Sequence, residues 1–455
     1  MSGRDNFYAH HSGHQQQRRH ALKASPPLIL ASGFLLLIAA GTVLLALPVA
    51  SVKPIGLFNA FFMATSAVTV TGLAVIDTAR DLSGFGKTVL ITLVQLGGLG
   101  FVTFAILTAL ALGRKLSLQQ QALALEAFNQ TSVSRIRRTA VTVIKISLLI
   151  ELSAAVVLTL WWWRDMPLPT ALTQGVFHAI TAFNNCGFSL FEDSLASFAG
   201  DTITILSITT LIILGGIGFS VLHDISQQRK WRVLTPYTKV IVLGTLALNL
   251  FGFVMVWLLE HDNPGTLGAM TASDQALAAW MQSVTARTAG FTSIDITQLH
   301  DSTTLVLMFL MFIGGGSMST ASGIKLGTFI VLIAAMWSYI RQRRDVVVMH
   351  RAIAPDTVQK SLALVVVTSL FAITSVFLLT LFESRPFLDL LFETVSALST
   401  TGMSRDLTPL LSTPGKAVLI VIMFAGRLGP LTLVYSLATR QYSRVRYPAT
   451  EFPVG

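Results

Sequence analysis

Four short stretches of this 455-residue chain place mostly small, neutral side chains directly before a glycine, which suits a site made of backbone oxygens. They read Thr69-Val70-Thr71-Gly72, Asn184-Asn185-Cys186-Gly187, Arg287-Thr288-Ala289-Gly290 and Ser399-Thr400-Thr401-Gly402. A dehydrated monovalent cation needs oxygen ligands in place of water, and a ring of carbonyls supplies them without net charge. Glycine permits the φ values that turn a carbonyl toward an axis. The candidate ligands are therefore the carbonyls of Val70, Thr71, Gly72, Asn185, Cys186, Gly187, Thr288, Ala289, Gly290, Thr400, Thr401 and Gly402. No Asp or Glu occurs in these stretches, which argues against a divalent-cation channel built on an acidic ring. Arg287 is the one charged residue among them; its guanidinium is expected to brace the loop against carbonyls or an acid such as Glu393.

The stretches belong to a longer internal repeat. In register they are FNAFFMATSAVTVTGL (58–73), TQGVFHAITAFNNCGF (173–188), LAAWMQSVTARTAGF (277–291) and LDLLFETVSALSTTGM (388–403). Ten residues before each glycine stands an aromatic: Phe62, Phe177, Trp280 or Phe392. A large apolar residue follows each: Leu73, Phe188, Phe291 or Met403. The glycine-to-glycine intervals are 115, 103 and 112 residues. A second glycine cluster trails each loop: Gly97-Gly98-Leu99-Gly100, Gly215-Gly216-Ile217-Gly218, Gly314-Gly315-Gly316 and Gly426-Arg427-Leu428-Gly429. Close helix packing explains any one such cluster, but not four in phase with four loops.

These loops need a scaffold, and the composition says which. The chain is 53% hydrophobic and 12% charged. Eight stretches are long and apolar enough to cross a bilayer as helices: Leu28–Leu47, Thr88–Gly113, Val141–Trp163, Thr202–Leu222, Val240–Leu259, Ser302–Tyr339, Ser361–Phe382 and Ala417–Ala438. Each glycine loop lies between two of them, after a segment of about ten to fourteen residues, roughly 15–20 Å as a helix. Pro54, Pro169-Thr170, Ser273-Asp274 and Pro386 mark the starts of these segments. Their C-termini, with partial negative charge, would face the membrane interior. The expected fold is thus an all-α polytopic membrane protein: four pseudo-symmetric helix–pore loop–helix repeats, with eight spans and four re-entrant pore helices around one ion pathway. The divisions are a tail (1–27), repeat 1 (28–113), repeat 2 (114–225), repeat 3 (226–340), repeat 4 (341–439) and a second tail (440–455).

The net charge of +10 is a matter of topology. The two tails and the segments 114–140, 223–239 and 340–360 hold 21 Lys+Arg against 6 Asp+Glu, while the opposite loops hold 8 against 15. The positive-inside rule then puts both termini in the cytoplasm, and no nucleic-acid partner is implied. The acidic outer face would concentrate cations. Cys186, the single cysteine, allows no intrachain disulfide or cysteine-based metal site. His10, His11, His14 and His20 read as part of a disordered tail rather than a metal site. Leu28–Leu47 is too long for a signal-peptide core and is expected to be retained. Trp161–Trp163 reads as an interfacial belt.

The sixth span is anomalous. Ser302–Tyr339 would measure roughly 57 Å as one helix, nearly twice the hydrocarbon thickness. Its middle, GGGSMSTASG (314–323), is rich in Gly, Ser and Thr and poor in helix formers. A broken helix with an intramembrane loop follows, with Gly314, Gly315, Gly316, Ser317, Ser319, Thr320, Ser322 and Gly323 as candidate gate residues. Lys325, just after the loop, would either face the ion path or snorkel and pair structurally. Arg427 stands where repeat 1 has Gly98, and a mid-membrane guanidinium is costly. It would either raise a barrier in the path and latch the gate or form a structural ion pair. Glu151 is read as a buried hydrogen-bonded or helix-interface carboxylate, with proton coupling as its alternative; Asn184 and Asn185 either brace a turn or mark recognition. The chain shows no HExxH, GxSxG or P-loop motif, so no enzyme is expected.

TVTGL, AFNNCGF, RTAGF, STTGM, GGGSMSTASGIK (314–325) and GRLGPLTL (426–433) resemble the Trk/Ktr/HKT superfamily of potassium and sodium transporters, over residues 28–440. A first repeat span near Leu28, without the added helix pair of the TrkH type, is more similar to the KtrB branch. The resemblance implies potassium uptake through a four-loop filter, with glycine at all four positions as the potassium-permissive form. It implies an intramembrane gate and an arginine at the position of Arg427. It also implies a homodimer in membrane lipid, docked on a cytosolic nucleotide-binding ring (RCK-type, KtrA/TrkA-like). Potassium is then cargo, the nucleotide sits on the partner, and this chain needs no cofactor. Sodium permeation or Na⁺/H⁺ coupling within the superfamily is the alternative, and an organic-solute carrier a more distant one.

Overall fold

The structure is a computed structural model that describes residues 26–100 and 133–429. The four tail histidines, the segment 440–455 and the far ends of the Thr88–Gly113 and Ala417–Ala438 spans lie outside those residues.

Four units follow one another in the same order. The first has α1 (Pro26–Ala46), a short α2 (Leu57–Val68) and α3 (Gly84–Gly98). The second has α4 (Val133–Trp162), a short α5 (Leu168–Phe183), then α6 (Thr202–Gly216) and α7 (Phe219–Gln228). The third has α8 (Pro236–Glu260), a short α9 (Ala272–Thr285), then α10 (Asp301–Phe312) and α11 (Leu326–Ile340). A two-stranded hairpin, β1 (Val347–Val348) and β2 (Arg351–Ala352), leads to the fourth. That unit has α12 (Pro355–Phe382), a short α13 (Phe387–Ser399) and α14 (Thr413–Leu428). Helix starts carry their chemical marks: Ser83, Asp201, Thr235, Thr271 and Ser412 each accept from a backbone N–H of the first turn.

The packing runs in a closed circle. The outgoing helix of each unit lies against the short helix of the next: α3 on α5, α6 on α9, α10 on α13, and α14 back on α2. The aromatics ten residues before the loop glycines make these joints. Phe177 packs into the apolar cluster of the first unit, Trp280 against that of the second, Phe392 into that of the third and Phe62 into that of the fourth. Phe62, Phe177 and Phe392 are buried, and Trp280 Nε1 donates to Thr209 Oγ1 on α6 at 3.3 Å. The constant spacing of these aromatics therefore has a packing cause, since each pins its unit to the preceding one.

Two expectations need correction. Among the described residues, Val141–Trp162, Pro236–Glu260 and Pro355–Phe382 are helices long and apolar enough to span a membrane. Thr202–Leu222 is not one straight span, because α6 and α7 meet at a 100° bend. The bend follows from the chemistry of Gly215-Gly216-Ile217-Gly218. The Gly216 carbonyl accepts from Gly316 N at 2.8 Å and that of Gly215 from Thr320 N at 3.3 Å, so the helix hands its last acceptors to another segment. Gly218 has φ +106°, which only glycine adopts without strain. Ser302–Tyr339 is divided as its composition implied, into α10 and α11, with residues 313–325 between them. Second, Trp162 is fully buried and donates to Thr204 Oγ1 at 3.0 Å, so of the tryptophan triplet it belongs to the core. Of the two kinds of partner expected for Arg287, the structure shows carbonyls, those of Gly314 and Thr245, while the Glu393 carboxylate accepts from Ser404, Arg405 N and Thr408.

Candidate cation-binding site

The four glycine loops meet. A methyl group built on Gly72 would lie 2.6 Å from Gly187 N, and one on Gly187 2.7 Å from Gly290 Cα. On Gly290 it would strike Thr401 O and approach Gly402 C at 3.2 Å, and on Gly402 it would strike Thr71 O and approach Gly72 Cα at 3.1 Å. The contacts run from the first loop to the second, third and fourth and back to the first. All twelve candidate ligand residues are thus gathered at one place, where the four short helices end.

The loops share a backbone pattern. The residue two before each glycine is left-handed: Val70 (φ 58°), Asn185 (55°), Thr288 (69°) and Thr400 (49°). Gly72 (91°), Gly290 (85°) and Gly402 (88°) are also at positive φ, while Gly187 is not. Non-glycine residues rarely adopt such angles, and they persist only where the surroundings hold them. What holds them is visible. Val70 N, Asn185 N and Thr400 N donate back to Ala67 O, Ala182 O and Ala397 O at 3.1, 3.1 and 3.2 Å. Thr71 N, Cys186 N and Thr401 N each reach the carbonyl five residues earlier at 2.8 Å.

Two of the loops are near copies. In the first, Gly72 N donates to Ser66 Oγ at 3.1 Å and the hydroxyls of Thr69 and Thr71 pair at 2.8 Å. In the fourth, Gly402 N donates to Ser396 Oγ at 3.1 Å and the hydroxyls of Ser399 and Thr401 pair at 2.8 Å. Neither serine was singled out from sequence, although both stand six residues before their glycine. At that register the second unit has Thr181 and the third Val284, and their loops are held differently. Asn184 Nδ2 donates to Gln95 Oε1 at 2.7 Å and to Glu151 Oε1 at 3.2 Å, and Gln95 Nε2 donates to the same carboxylate. Glu151 is therefore a buried hydrogen-bonded carboxylate, and Asn184 braces the turn. Arg287, buried, donates to Asn249 Oδ1 and to Gly314 O, both at 3.2 Å.

The second glycine clusters now have a physical account. A methyl group on Gly97 would strike Val68 O, one on Gly215 Phe183 O, and one on Gly426 Leu398 O. Each is the end of that unit's own short helix, so the outgoing helix seats against the helix end that carries the loop. Gly314–Gly316 departs from this. Methyl groups there would strike Ser322 O, Gly216 O and Ile217 O, because this cluster opens the break between α10 and α11.

Residues 314–323 pack beside the end of α5 and the second and third loops. Gly314 N donates to Ile324 O at 2.9 Å, Ser319 Oγ to Gly316 O at 2.7 Å, and Ser317 N to the Tyr237 hydroxyl at 3.2 Å. Gly323 is left-handed (φ 66°). Thr320 Oγ1 donates to Phe183 O at 3.2 Å, and the Asn185 amide, with Nδ2 facing the hydroxyl, donates to it at 3.2 Å. Lys325 Nζ turns back on Ala321 O at 2.6 Å, clamping the loop's own turn. Arg427 donates to Thr320 O, to Ser322 Oγ at 3.3 Å, to Gly97 O at 2.7 Å and to Gly98 O at 3.2 Å. It thus joins the loop to the first unit through neutral oxygens.

Comparison with known proteins decides the family. The model of the TrkH family, described as cation transport protein, matches residues 9–443. The chain belongs to the TrkH family of cation transport proteins. The Ktr system potassium uptake protein B of Bacillus subtilis (strain 168) is 45% identical over 435 residues, covering 95% of this chain and 98% of the relative. Its counterpart from Vibrio alginolyticus is 42% identical over 435 residues, covering 95% of each. The potassium/sodium uptake protein NtpJ of Enterococcus hirae is 33% identical over 448 residues, covering 96% of this chain and 99% of the relative. The crystal structure of the potassium transporter TrkH from Vibrio parahaemolyticus aligns with a TM-score of 0.72 at 21% identity, covering 93% of this chain and 87% of that one. At that identity it speaks for the fold alone, and the TrkH-family fold is the mostly helical one described above.

Proposed function

We propose that this TrkH-family chain takes up potassium across a bacterial inner membrane through a pathway enclosed by its four glycine loops. The observation that carries this reading is the closed circle of contacts among Gly72, Gly187, Gly290 and Gly402. Alternating signs of φ along Val70-Thr71-Gly72, Thr288-Ala289-Gly290 and Thr400-Thr401-Gly402 support it. Successive carbonyls of an extended chain point to opposite sides; reversing every second φ brings them to the same side, toward one axis. Carbonyl oxygens of the twelve loop residues would then replace the hydration shell of the ion. The four short helices, ending at the ring, would add the negative ends of their dipoles.

In this reading, helices α2, α5, α9 and α13 are re-entrant pore helices, and residues 314–323 are a gate. Arg427 and Lys325 supply positive charge beneath the ring, which opposes a cation in passage until the loop moves. The kinship with B subunits of Ktr systems supports a homodimer with a cytosolic nucleotide-binding regulatory ring on the basic face, both termini being cytoplasmic. The kinship with a potassium/sodium uptake protein keeps a second reading, in which sodium also permeates. Uptake of Rb⁺ by cells that lack other potassium systems tests the proposal. Growth at low potassium and saturable Rb⁺ uptake are expected; no rescue, with a nucleotide-binding partner supplied, would overturn it.

A further inference from the structure

The segment 314–323 is hydrogen-bonded to two of the four loops, and only to those two. Toward the third loop, Arg287 Nη2 donates to Gly314 O at 3.2 Å, while Nη1 anchors on Asn249 Oδ1 of α8. Toward the second, Thr320 Oγ1 donates to Phe183 O, the last carbonyl of α5, and accepts from Asn185 Nδ2, each at 3.2 Å. Asn185 also reaches Phe183 O and, on α6, Ile212 O. Both linked loop residues lie next to or at a strained position, since Asn185 and Thr288 are left-handed. The third unit also leaves Thr285 Oγ1 and Thr288 Oγ1, and the second Asn184 Oδ1, buried with no partner. These two loops keep backbone bonds of their own but take their side-chain support from outside, where the first and fourth close side-chain bonds within the loop. Arg287 Nε and Thr245 Oγ1, also unpartnered, face a small cavity lined by Asn185, Gly216 and Gly315, with room for about one water.

We propose that Thr320 and Arg287 are positioning residues for ion discrimination, which tie the gate segment to the second and third loops so that cutting either tie loosens the filter as well as the gate. The proposal rests on the filter reading given above. Arg427 provides the contrast. It fastens the same segment, through Thr320 O and Ser322 Oγ, to Gly97 and Gly98 of the first unit and, among the described residues, makes no hydrogen bond to any of the four loops. Releasing it frees the gate and leaves both ties in place.

The test uses the full-length protein in liposomes, with Rb⁺ flux and the K⁺/Na⁺ permeability ratio from bi-ionic reversal potentials as separate readouts. Thr320→Val keeps the side-chain shape and removes the hydroxyl. Its ratio should fall at least about fivefold, the scale of one of the two hydrogen bonds that the hydroxyl makes, with a rise in flux. Arg287→Lys, which keeps the charge and loses the fork, should lower the ratio in the same direction. Arg427→Ala should raise flux and hold the ratio. Gly72→Ser serves as the reference for the filter itself. If Gly72→Ser shifts the ratio and Thr320→Val raises flux alone, the tie is refuted and the filter reading stands. If neither variant moves the ratio, the filter reading falls and the tie with it.

Discussion

The first and fourth loops close on themselves, whereas the second and third reach outward for support. Ser66 and Ser396 accept from Gly72 N and Gly402 N at the same distance, and the paired hydroxyls of Thr69–Thr71 and Ser399–Thr401 match as well. The second loop instead leans on Gln95 and Glu151 from two neighbouring helices, and the third on Asn249 and the segment 314–323. Four copies of one unit have thus been divided by labour. One adjacent pair, the fourth and first loops, closes its own side-chain hydrogen bonds, and the other pair is bonded to the segment 314–323.

The largest effect expected in breaking this contrast is at the ring itself. Gly72→Ser places a Cβ at φ +91° and against Gly187 N, a strain of about 1–3 kcal/mol. The K⁺/Na⁺ permeability ratio should drop by about tenfold or more on that scale. Next, Arg427→Ala removes charge-assisted bonds to four neutral oxygens, each worth about 1.5–3 kcal/mol. The protein should fold and conduct faster by at least about tenfold; unchanged Rb⁺ uptake kinetics would count against the latch. Ser66→Ala and Ser396→Ala leave one buried N–H unpaired, at about 1 kcal/mol. Each should cost a few-fold in discrimination, by equal amounts, without altering flux in the closed-gate condition. Unequal losses, or a gating effect, would show that the two loops are not equivalent. Smallest is Glu151→Gln, where an amide oxygen still accepts from Asn184. Uptake should change by no more than about threefold and keep its pH profile; a flattened profile would make Glu151 a proton carrier rather than a brace.

Much of this was legible in the residues because it depends on local rules. Glycine where φ must be positive, and a run of Gly, Ser and Thr where a helix must break, carry their own signals. The aromatic register was legible too, although its cause, a joint between consecutive units, lay in the packing. What escaped depends on partners distant in sequence. Nothing in TITILSITTLIILGGIGF marks a 100° bend, because the bend is set by the segment 314–323 taking the carbonyls of Gly215 and Gly216. Arg287 was expected to brace the loop against carbonyls or an acid such as Glu393; it uses carbonyls and the Asn249 amide, and which ones could not be read because α8 and the helix break that offer them are distant in sequence. Ser66 and Ser396 share a register that the alignment already contained, but small hydroxyls in an apolar helix pass for packing until the geometry shows what they bond.

The central claim is that the four loops jointly coordinate one monovalent cation. It is tested most directly by locating Rb⁺ in crystals of the full-length protein through its anomalous scattering. The account predicts a peak on the axis among Gly72, Gly187, Gly290 and Gly402, weakened in Gly72→Ser. A protein that transports Rb⁺ with no peak at that ring, or with its strongest peak elsewhere in the membrane, would contradict it.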